Sequence, residues 1–387
     1  MNILILSTSP FPDGNASSTY ILNVCRTMIA CGHNVTVIGC RRAVKTDFPL
    51  QGSYEGIKYL NFDTTAHNKV VMYIYNLYFE VYAKYILRKF KDTDVVFLFG
   101  GTAPVVKTVK RYCKRKKIKL GALDCEWYTN DCFSPGVSKR YVKGTVEYTP
   151  CVVKNADCAI LISSLLTHHY SKNGVYSVMI PNIVDLTDDK WNVRKAVGEQ
   201  NKLKIAYAGV PSVGKDELGT VIKAIGELPE DKRNKTELHV YGPDKREMMT
   251  YLATQGINDI PAQVVYHGRQ QQNVIPELLN ECHYTVLIRK PSLRANAGFS
   301  TKMVESFAAG IPFIANITGD IGAYLKDGEN GIVVENESVI ACRDALIRAW
   351  NLLDNNEQMR NAAYRTAEEN FDYRLYVDTM KEFLNKI

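Results

Sequence analysis

The 387-residue sequence contains no apolar run near the ~20 residues needed to span a bilayer, so a helical membrane span is not expected. It has ten cysteines but no CxxC, no paired zinc spacing and no regular framework. Cys25, Cys40, Cys158 and Cys282 sit inside apolar segments. Reduced, mostly buried thiols of a cytoplasmic protein follow, not a disulfide scaffold or a zinc site. There is no low-complexity tract and no internal repeat of about 20–50 residues, which argues against disorder and against a solenoid. Met1–Leu6 is apolar without a basic stretch before it, and residues 7–14 carry turn chemistry, so an opening strand is expected rather than a signal peptide. GxGxxG, GxSxG, HExxH and a Cys–His–Asn pattern are all missing, which weighs against a dinucleotide dehydrogenase, a hydrolase with a serine elbow and a zinc protease.

What is present is an ordinary globular composition, 46% hydrophobic and 23% charged, in a chain long enough for two domains. The net charge of +7 is uneven. Residues 1–187 hold 23 Lys and Arg against 13 Asp and Glu, and the remainder holds 25 against 28. One half therefore suits an anionic partner: nucleic acid, an anionic membrane or a phosphorylated substrate.

Short apolar runs alternate with helical patterns throughout. In the first half, strands are expected at Asn2–Leu6, Asn34–Ile38, Ile57–Phe62, Asp94–Phe99, Ile118–Leu123, Asp157–Ile162 and Ser177–Ile180. Helices are expected at Ser17–Cys31, Lys69–Phe90, Ala103–Lys114, Ser138–Lys154 and Ser164–Ser171. Val95–Phe99 is apolar on both faces, as a strand covered by helices on each side must be. A polar stretch around Asp185–Gln200 reads as a linker, after which Lys204–Gly209 opens a second strand series. Its further strands are expected at Glu237–Tyr241, Val264–His267, Tyr284–Ile288, Pro312–Ala315 and Gly331–Val334, and Ser338–Ile387 reads as helical. Two successive βαβ series imply two doubly wound α/β domains, with ligands beyond the carboxyl ends of the strands and a cleft between the domains as the default site.

Gly209-Val210-Pro211-Ser212-Val213-Gly214-Lys215-Asp216 has the GxxxxGK spacing of a P-loop, but Asp stands where the magnesium-ligating Ser or Thr belongs and would repel phosphates. A glycine turn feeding a helix N-terminus, with Lys215 beside it, still makes an anion site; the plain alternative is a strand-to-helix turn with a surface lysine. Further on, Arg289, Lys290, Arg294 and Lys302 converge on a helix start for which Ser300 and Thr301 are cap candidates. Glu305 lies one turn in, on the same face as Thr301 and Lys302, where its carboxylate can accept two ribose hydroxyls or simply pair with Lys302. Asp92-Thr93-Asp94 reads as a solvated turn. Asp124-Cys125-Glu126, beside Trp127 and Tyr128 at a strand end, reads as a catalytic or sugar-positioning carboxylate rather than a metal ligand. His168-His169 reads as a helix surface pair. The basic stripe Lys107, Lys110, Arg111, Lys114, Arg115, Lys116, Lys117 and Lys119, with the tyrosine-rich segment Tyr73–Tyr85, suits an anionic membrane surface or a solvated helix face over an aromatic core. No nucleic-acid motif accompanies the charge.

These residues, in order, resemble a retaining glycosyltransferase of the GT-B fold, family 4 type (glycosyl transferases group 1), of the kind found in bacterial surface-polysaccharide assembly. The resemblance rests on Ile3–Leu6 with Pro10–Ala16, Gly32-His33-Asn34-Val35-Thr36-Val37, Asn155-Ala156-Asp157 to Ser163 and Ile180-Pro181-Asn182-Ile183-Val184-Asp185. It continues through Tyr207-Ala208-Gly209 with Lys215, His239–Gly242, Tyr266-His267-Gly268, Gly298–Glu305 and Ala309-Gly310-Ile311-Pro312. The first glutamate of the family's E-x7-E signature falls at Ala297, and Val210-Pro211 stand where an arginine is usual, a charge that Arg289 or Arg294 would supply.

The resemblance implies two Rossmann-like domains facing across a cleft: residues 1–183 for the acceptor, a linker at 184–200, residues 201–370 for the nucleotide-sugar donor, and a C-terminal helix at 371–387 returning to the first domain. It implies a UDP- or GDP-linked sugar as donor substrate, no metal and no cofactor, and a saccharide or lipid-linked saccharide as acceptor. Glu126, Lys215 and Arg289 would be catalytic. Gly209, Lys215, Arg294, Gly298, Phe299, Ser300, Thr301, Lys302, Glu305, His267 and Gly268 would bind the donor, and Gly14, Asn15 and Ala16 the acceptor. A non-hydrolysing UDP-sugar 2-epimerase of the same fold and a non-catalytic sugar-nucleotide-binding protein stay open beside it. The expected location is the cytoplasm, with the basic half at the inner face of the plasma membrane.

Overall fold

The computed structural model describes residues 1–41, 48–63, 83–133, 136–192, 201–211 and 215–387. The chain forms two compact units: Met1–Val184 with Ala297–Phe299 and Tyr373–Ile387, and Asp185–Asn296 with Ser300–Asp372.

The first unit carries eight strands: β1 (Asn2–Ser7), β2 (Asn34–Arg41), β3 (Gln51–Tyr54), β4 (Ile57–Asp63), β5 (Val95–Phe99), β6 (Lys119–Asp124), β7 (Cys158–Leu161) and β8 (Tyr176–Met179). Their order in the sheet is β3-β4-β2-β1-β5-β6-β7-β8. Every pairing is parallel except that of β3 with β4. β5 is buried at all positions, the condition its uninterrupted VVFLF sequence satisfies. The chain leaves β1 on one side to form β2 and later returns on the other to form β5. The topological switch point therefore lies between β1 and β5. The tail helix Val377–Asn385 belongs to this unit, with Phe383 stacked on Tyr176 at a centroid distance of 5.3 Å.

The second unit carries β9 (Leu203–Ala208), β10 (Thr236–Tyr241), β11 (Val264–Gly268), β12 (Tyr284–Leu287), β13 (Phe313–Asn316) and β14 (Gly331–Val334). The order is β11-β10-β9-β12-β13-β14, parallel throughout. Here the switch point lies between β9 and β12.

Two local features differ from the sequence-based expectation. The expected helix Ser138–Lys154 is two helices, Lys139–Val146 and Tyr148–Val153. Pro150 explains the break: it has no N–H, and its ring opposes the carbonyl of residue 146. β3 was not expected at all. It pairs with β4 through a two-residue turn in which Glu55 (φ 50°) and Gly56 (φ 78°) are both left-handed, the backbone of a type I′ hairpin. Arg26 holds that turn, donating Nε and Nη2 to the two Glu55 carboxylate oxygens at 2.7 and 2.6 Å. Of the expected helix Lys69–Phe90, residues 83–89 are helical, and 64–82 with the tyrosines Tyr73 to Tyr82 lie outside the described residues. Among the described residues no helix is long and apolar enough to cross a membrane.

Candidate functional site

The second unit's switch point is where its chemistry gathers. β9 ends in Ala208 and turns at Gly209, whose φ of 139° is a conformation that side-chain-bearing residues avoid. Space gives a second reason for glycine there. A Cβ on Gly209 would lie 2.7 Å from Lys302 Cε and 3.0 Å from Lys302 Nζ. Gly242, at the end of β10, approaches as closely, since its Cβ would lie 2.7 Å from Gly209 O. These two glycines let backbone and the Lys302 side chain share the mouth of the sheet.

Asp216 sits at the centre. Its carboxylate takes Arg289 Nε on Oδ1 at 3.0 Å, and Lys302 Nζ at 2.9 Å and the Tyr207 hydroxyl at 2.8 Å on Oδ2. Its carbonyl accepts from the Tyr251 hydroxyl at 3.0 Å. Asp216 is 3% exposed and Arg289 6% exposed, so both ions of this pair are buried. An antiparallel bridge joins Asp216 to Arg289, and the Glu217 amide donates to Ile288 O at 2.7 Å, so the segment after Lys215 runs alongside the end of β12. Asn316 secures Arg289 from the other side, accepting from its amide at 2.8 Å and donating to its carbonyl at 2.7 Å.

The electrostatics follow from this packing. Burial alone would raise the Asp216 carboxyl, but Lys302 and Arg289 outweigh it and hold it well below the usual carboxylate range. Burial lowers the Lys302 ammonium, as do Arg289 and Lys215, while Asp216 pulls it back up. Lys302 also lies over the Tyr207 ring, 5.2 Å from its centroid. Ser300 caps the helix Thr301–Ala308, accepting from the Met303 amide at 3.3 Å, and Thr301 and Lys302 are its first residues. Glu305 follows one turn later, half-buried, with no ion pair among the described residues. Burial raises its carboxyl, against the pull of Lys190 and Lys302. The alternative of a Glu305–Lys302 surface pair is therefore not what forms, because Lys302 turns to Asp216.

The other expected residues are distributed around this centre. Lys215 is half-buried beside the Lys302 ammonium, and Ser212–Gly214 lie outside the described residues. Arg294 stands on the helix Leu293–Ala297 and Lys290 is exposed, while Arg289 and Lys302 share Asp216 as their partner. Gly298 and Phe299 group with the first unit, where Asn182 Nδ2 donates to Phe299 O at 2.8 Å and Ser163 Oγ to Ala297 O at 2.6 Å. Gly268 (φ 70°) accepts the Gly242 amide at 2.8 Å. His267 turns onto the sheet face, stacked on Tyr241 with centroids 4.3 Å apart, its Nε2 3.0 Å from His239 Nδ1. Burial keeps both imidazoles below their usual range.

The first unit has its own concavity, a cavity of about 170 Å³ at the carboxyl ends of β1, β5 and β6. Thr8, Ser9, Gly100, Gly101, Asp124 and Glu126 line it, together with aromatic rings that include Tyr128, Tyr141 and Tyr148. Asp124 is buried and accepts from the hydroxyls of Tyr170 at 2.7 Å and Thr149 at 3.3 Å. Burial pushes its carboxyl up to about 6, against those bonds and the amides of Glu126 and Cys125. Glu126 accepts from the Tyr128 hydroxyl. Carboxylates, hydroxyls and aromatic faces in one cavity suit a polyhydroxylated ligand. Gly14, Asn15 and Ala16 are not among its lining residues: Asn15 caps the helix Ala16–Ala30, accepting from the Ser18 amide at 3.0 Å, and Ser17 reaches the cavity instead. His169, rather than forming a plain surface pair with His168, lies against Trp127 at 4.4 Å.

Two residues central to this arrangement were not singled out for it in the sequence. Asp216 reads as an obstacle to phosphate, and Tyr207 as a strand residue. The signal that could have found Asp216 is its own misfit: an acidic residue directly after a glycine-turn lysine needs a cationic partner once buried.

The fold defines a class: an α/β protein with two parallel-sheet Rossmann-like domains, matching solved structures of GT-B glycosyltransferases. Residues 189–366 match the model of the family described as glycosyl transferases group 1. Among solved structures, sucrose-phosphate synthase from Thermosynechococcus elongatus is similar at a TM-score of 0.77 and 13% identity, covering 100% of this chain and 98% of that one. HepE from Anabaena, solved in complex with UDP, is similar at a TM-score of 0.68 and 14% identity, covering 100% of both chains. WaaG, a glycosyltransferase involved in lipopolysaccharide biosynthesis, is similar at a TM-score of 0.68 and 16% identity, covering 98% of both. Among curated protein sequences none matches this chain.

Proposed function

We propose that the protein is a retaining, metal-independent glycosyltransferase that moves a sugar from a nucleoside diphosphate sugar to an acceptor hydroxyl. The observation that carries this reading is the pair of buried Arg289 and half-buried Lys302 at the switch point of the second unit, with the half-buried Glu305 carboxylate one helical turn from Lys302. Departure of a diphosphate builds negative charge on its oxygens, and fixed cations in a buried setting stabilise that charge without rearranging. Lys215, Arg289 and Lys302 supply it, so the leaving group needs no added metal. Losing one such contact costs on the order of 10²–10³ in rate. Glu305 accepts the ribose hydroxyls of the nucleotide.

UDP is the first nucleotide to test, because one similar fold was solved with UDP and again with UDP-glucose. The acceptor is a saccharide or lipid-linked saccharide of surface-polysaccharide assembly. Its hydroxyls are met by the cavity at Asp124 and Glu126, with Gly14, Asn15 and Ala16 as further acceptor contacts, and Glu126 orients the attacking hydroxyl. Attack comes from the leaving-group face, so the anomeric configuration is retained.

The test is incubation of the protein with UDP- and GDP-sugars, with and without a saccharide acceptor panel, read by NMR. Acceptor-dependent nucleotide release with a product of the donor's anomeric configuration supports the reading. An inverted product contradicts the retaining mechanism. Conversion of donor without acceptor indicates an epimerase. Binding without turnover indicates a non-catalytic protein, the reading that Ala297, standing where the signature glutamate is usual, would favour.

A further inference from the structure

Two cations that share one carboxylate repel one another, and water screens them little: Arg289 is buried and Lys302 keeps only 21% of its side chain exposed. Like charges held a few ångströms apart with little water between them repel strongly. Something must offset that cost before any anionic ligand arrives. In this chain one carboxylate does so. Asp216 Oδ1 takes Arg289 through Nε, and among the described residues the Nη groups have no hydrogen-bond partner. Oδ2 takes a single N–H of Lys302 and is shared with the Tyr207 hydroxyl. Asp216 itself cannot move aside easily. Its carbonyl is held by Tyr251 and its backbone is bridged to Arg289.

We propose that Asp216 is a positioning residue of this anion site: its one carboxylate fixes Arg289 and Lys302 side by side, with their remaining N–H groups directed at the diphosphate. The proposal rests on the nucleotide-sugar reading above. It assigns a role to the acidic residue of the Gly209–Asp216 turn, whose sequence alone predicts repulsion of phosphate. The repulsion is offset because Asp216 faces the cations and the cations face outward.

A second consequence concerns charge. The groups facing Lys302 are Asp216, Arg289, Lys215, Tyr207 and, on its own helix, Glu305. Burial, Arg289 and Lys215 all favour the neutral amine, and Asp216 is the principal group opposing them. Replacing Asp216 by the isosteric, neutral Asn therefore removes the group that holds the Lys302 proton and makes that proton easier to lose as pH rises. A role limited to holding the fold would weaken binding by the same factor at every pH.

The experiment is calorimetric titration of UDP into the full chain from pH 6.5 to 9. The parent protein is expected to change affinity less than about threefold, and Asp216→Asn to weaken at least about tenfold as pH rises, since one lost proton is a factor of ten per unit. Adding Lys302→Arg to Asp216→Asn is expected to flatten the profile again, because arginine stays charged. A constant offset between parent and Asp216→Asn, or a double variant as steep as the single one, overturns the proposal. No UDP binding by the parent at any pH overturns the nucleotide reading itself, and the proposal with it. Should Asp216→Asn not fold, ¹³C-lysine NMR of the parent, with Lys302 assigned through Lys302→Arg, decides. A Lys302 signal still charged at about pH 8 supports Asp216 as its counter-ion, and one that titrates below about pH 8 overturns it.

Discussion

Gly209 shows how much one missing side chain can do. Its backbone is left-handed and Lys302 passes where its Cβ would be, so Gly209→Ala meets two penalties at once. The strained φ alone costs about 1–3 kcal/mol. Displacement of the Lys302 ammonium from Asp216 would weaken nucleotide binding by at least about tenfold, a loss of one charge-assisted contact. Thermal unfolding and UDP titration of Gly209→Ala check both parts, and unchanged affinity would show that Lys302 is not held by this approach. Asp124 makes a different residue-level prediction. Its carboxyl is pushed up to about 6, so the folded protein holds that proton more tightly than the unfolded chain does. Its contribution to stability is complete below about pH 4, falls as pH rises towards about 6 and is level above that, a loss of about 3 kcal/mol in all. Asp124→Asn, which can still accept from Tyr170, removes that slope; urea unfolding of both proteins at pH 4.5 and 7 would show it, and parallel slopes would refute it. At this scale Arg289, Lys302 and Glu305 were legible in the sequence because their residue types declare anion and hydroxyl recognition. Asp216 was not, because the sign of its contribution depends on which cations surround it, and they come from 73 and 86 positions further along the chain.

Elements were legible to the extent that burial patterns them. β5 and its neighbours announce themselves as continuous apolar runs, since both faces are covered. β3, with the sequence QGSY, is three-quarters exposed by position and held by backbone pairing and the Glu55–Gly56 turn, so no hydrophobic pattern marks it. The division of the helix expected over 138–154 was readable from Pro150 but was outweighed by the helical spacing on either side. The helix Thr301–Ala308 is the element on which the site depends most. It is short, and its start is fixed by Ser300. Ser300→Ala removes the cap and is expected to cost ~1 kcal/mol of stability. UDP affinity should fall with it, because Lys302 and Glu305 ride on the first two turns. A variant that loses the stability but keeps full affinity would separate the helix start from the site.

The net positive charge of the whole molecule lies in residues 1–187. Lys114, Arg115 and Lys116 occupy the last turn of the helix Ala103–Lys116, where cations also suit the helix dipole, and Lys117 and Lys119 follow. If this face meets an anionic membrane, as the proposed acceptor chemistry suggests, the protein should float with vesicles containing anionic lipid at low salt. It should be released at about 0.5 M salt, where the screening length is only a few ångströms. Equal flotation with neutral vesicles would contradict a charge-driven association. The two βαβ series were legible at this scale from alternation alone, and the switch point of each sheet follows from strand order. What alternation cannot give is the grouping of Ala297–Phe299 and Tyr373–Ile387 with the first unit, since that depends on contacts such as Asn182 to Phe299 and Tyr176 to Phe383 made far apart in sequence.

The most direct measurement is a calorimetric titration of UDP into the parent protein and into Lys302→Ala at neutral pH. The account predicts one site in the parent and an affinity lower by at least about tenfold in the variant, one charge-assisted contact having been removed. Equal affinity in the two, or no binding by the parent, would contradict it.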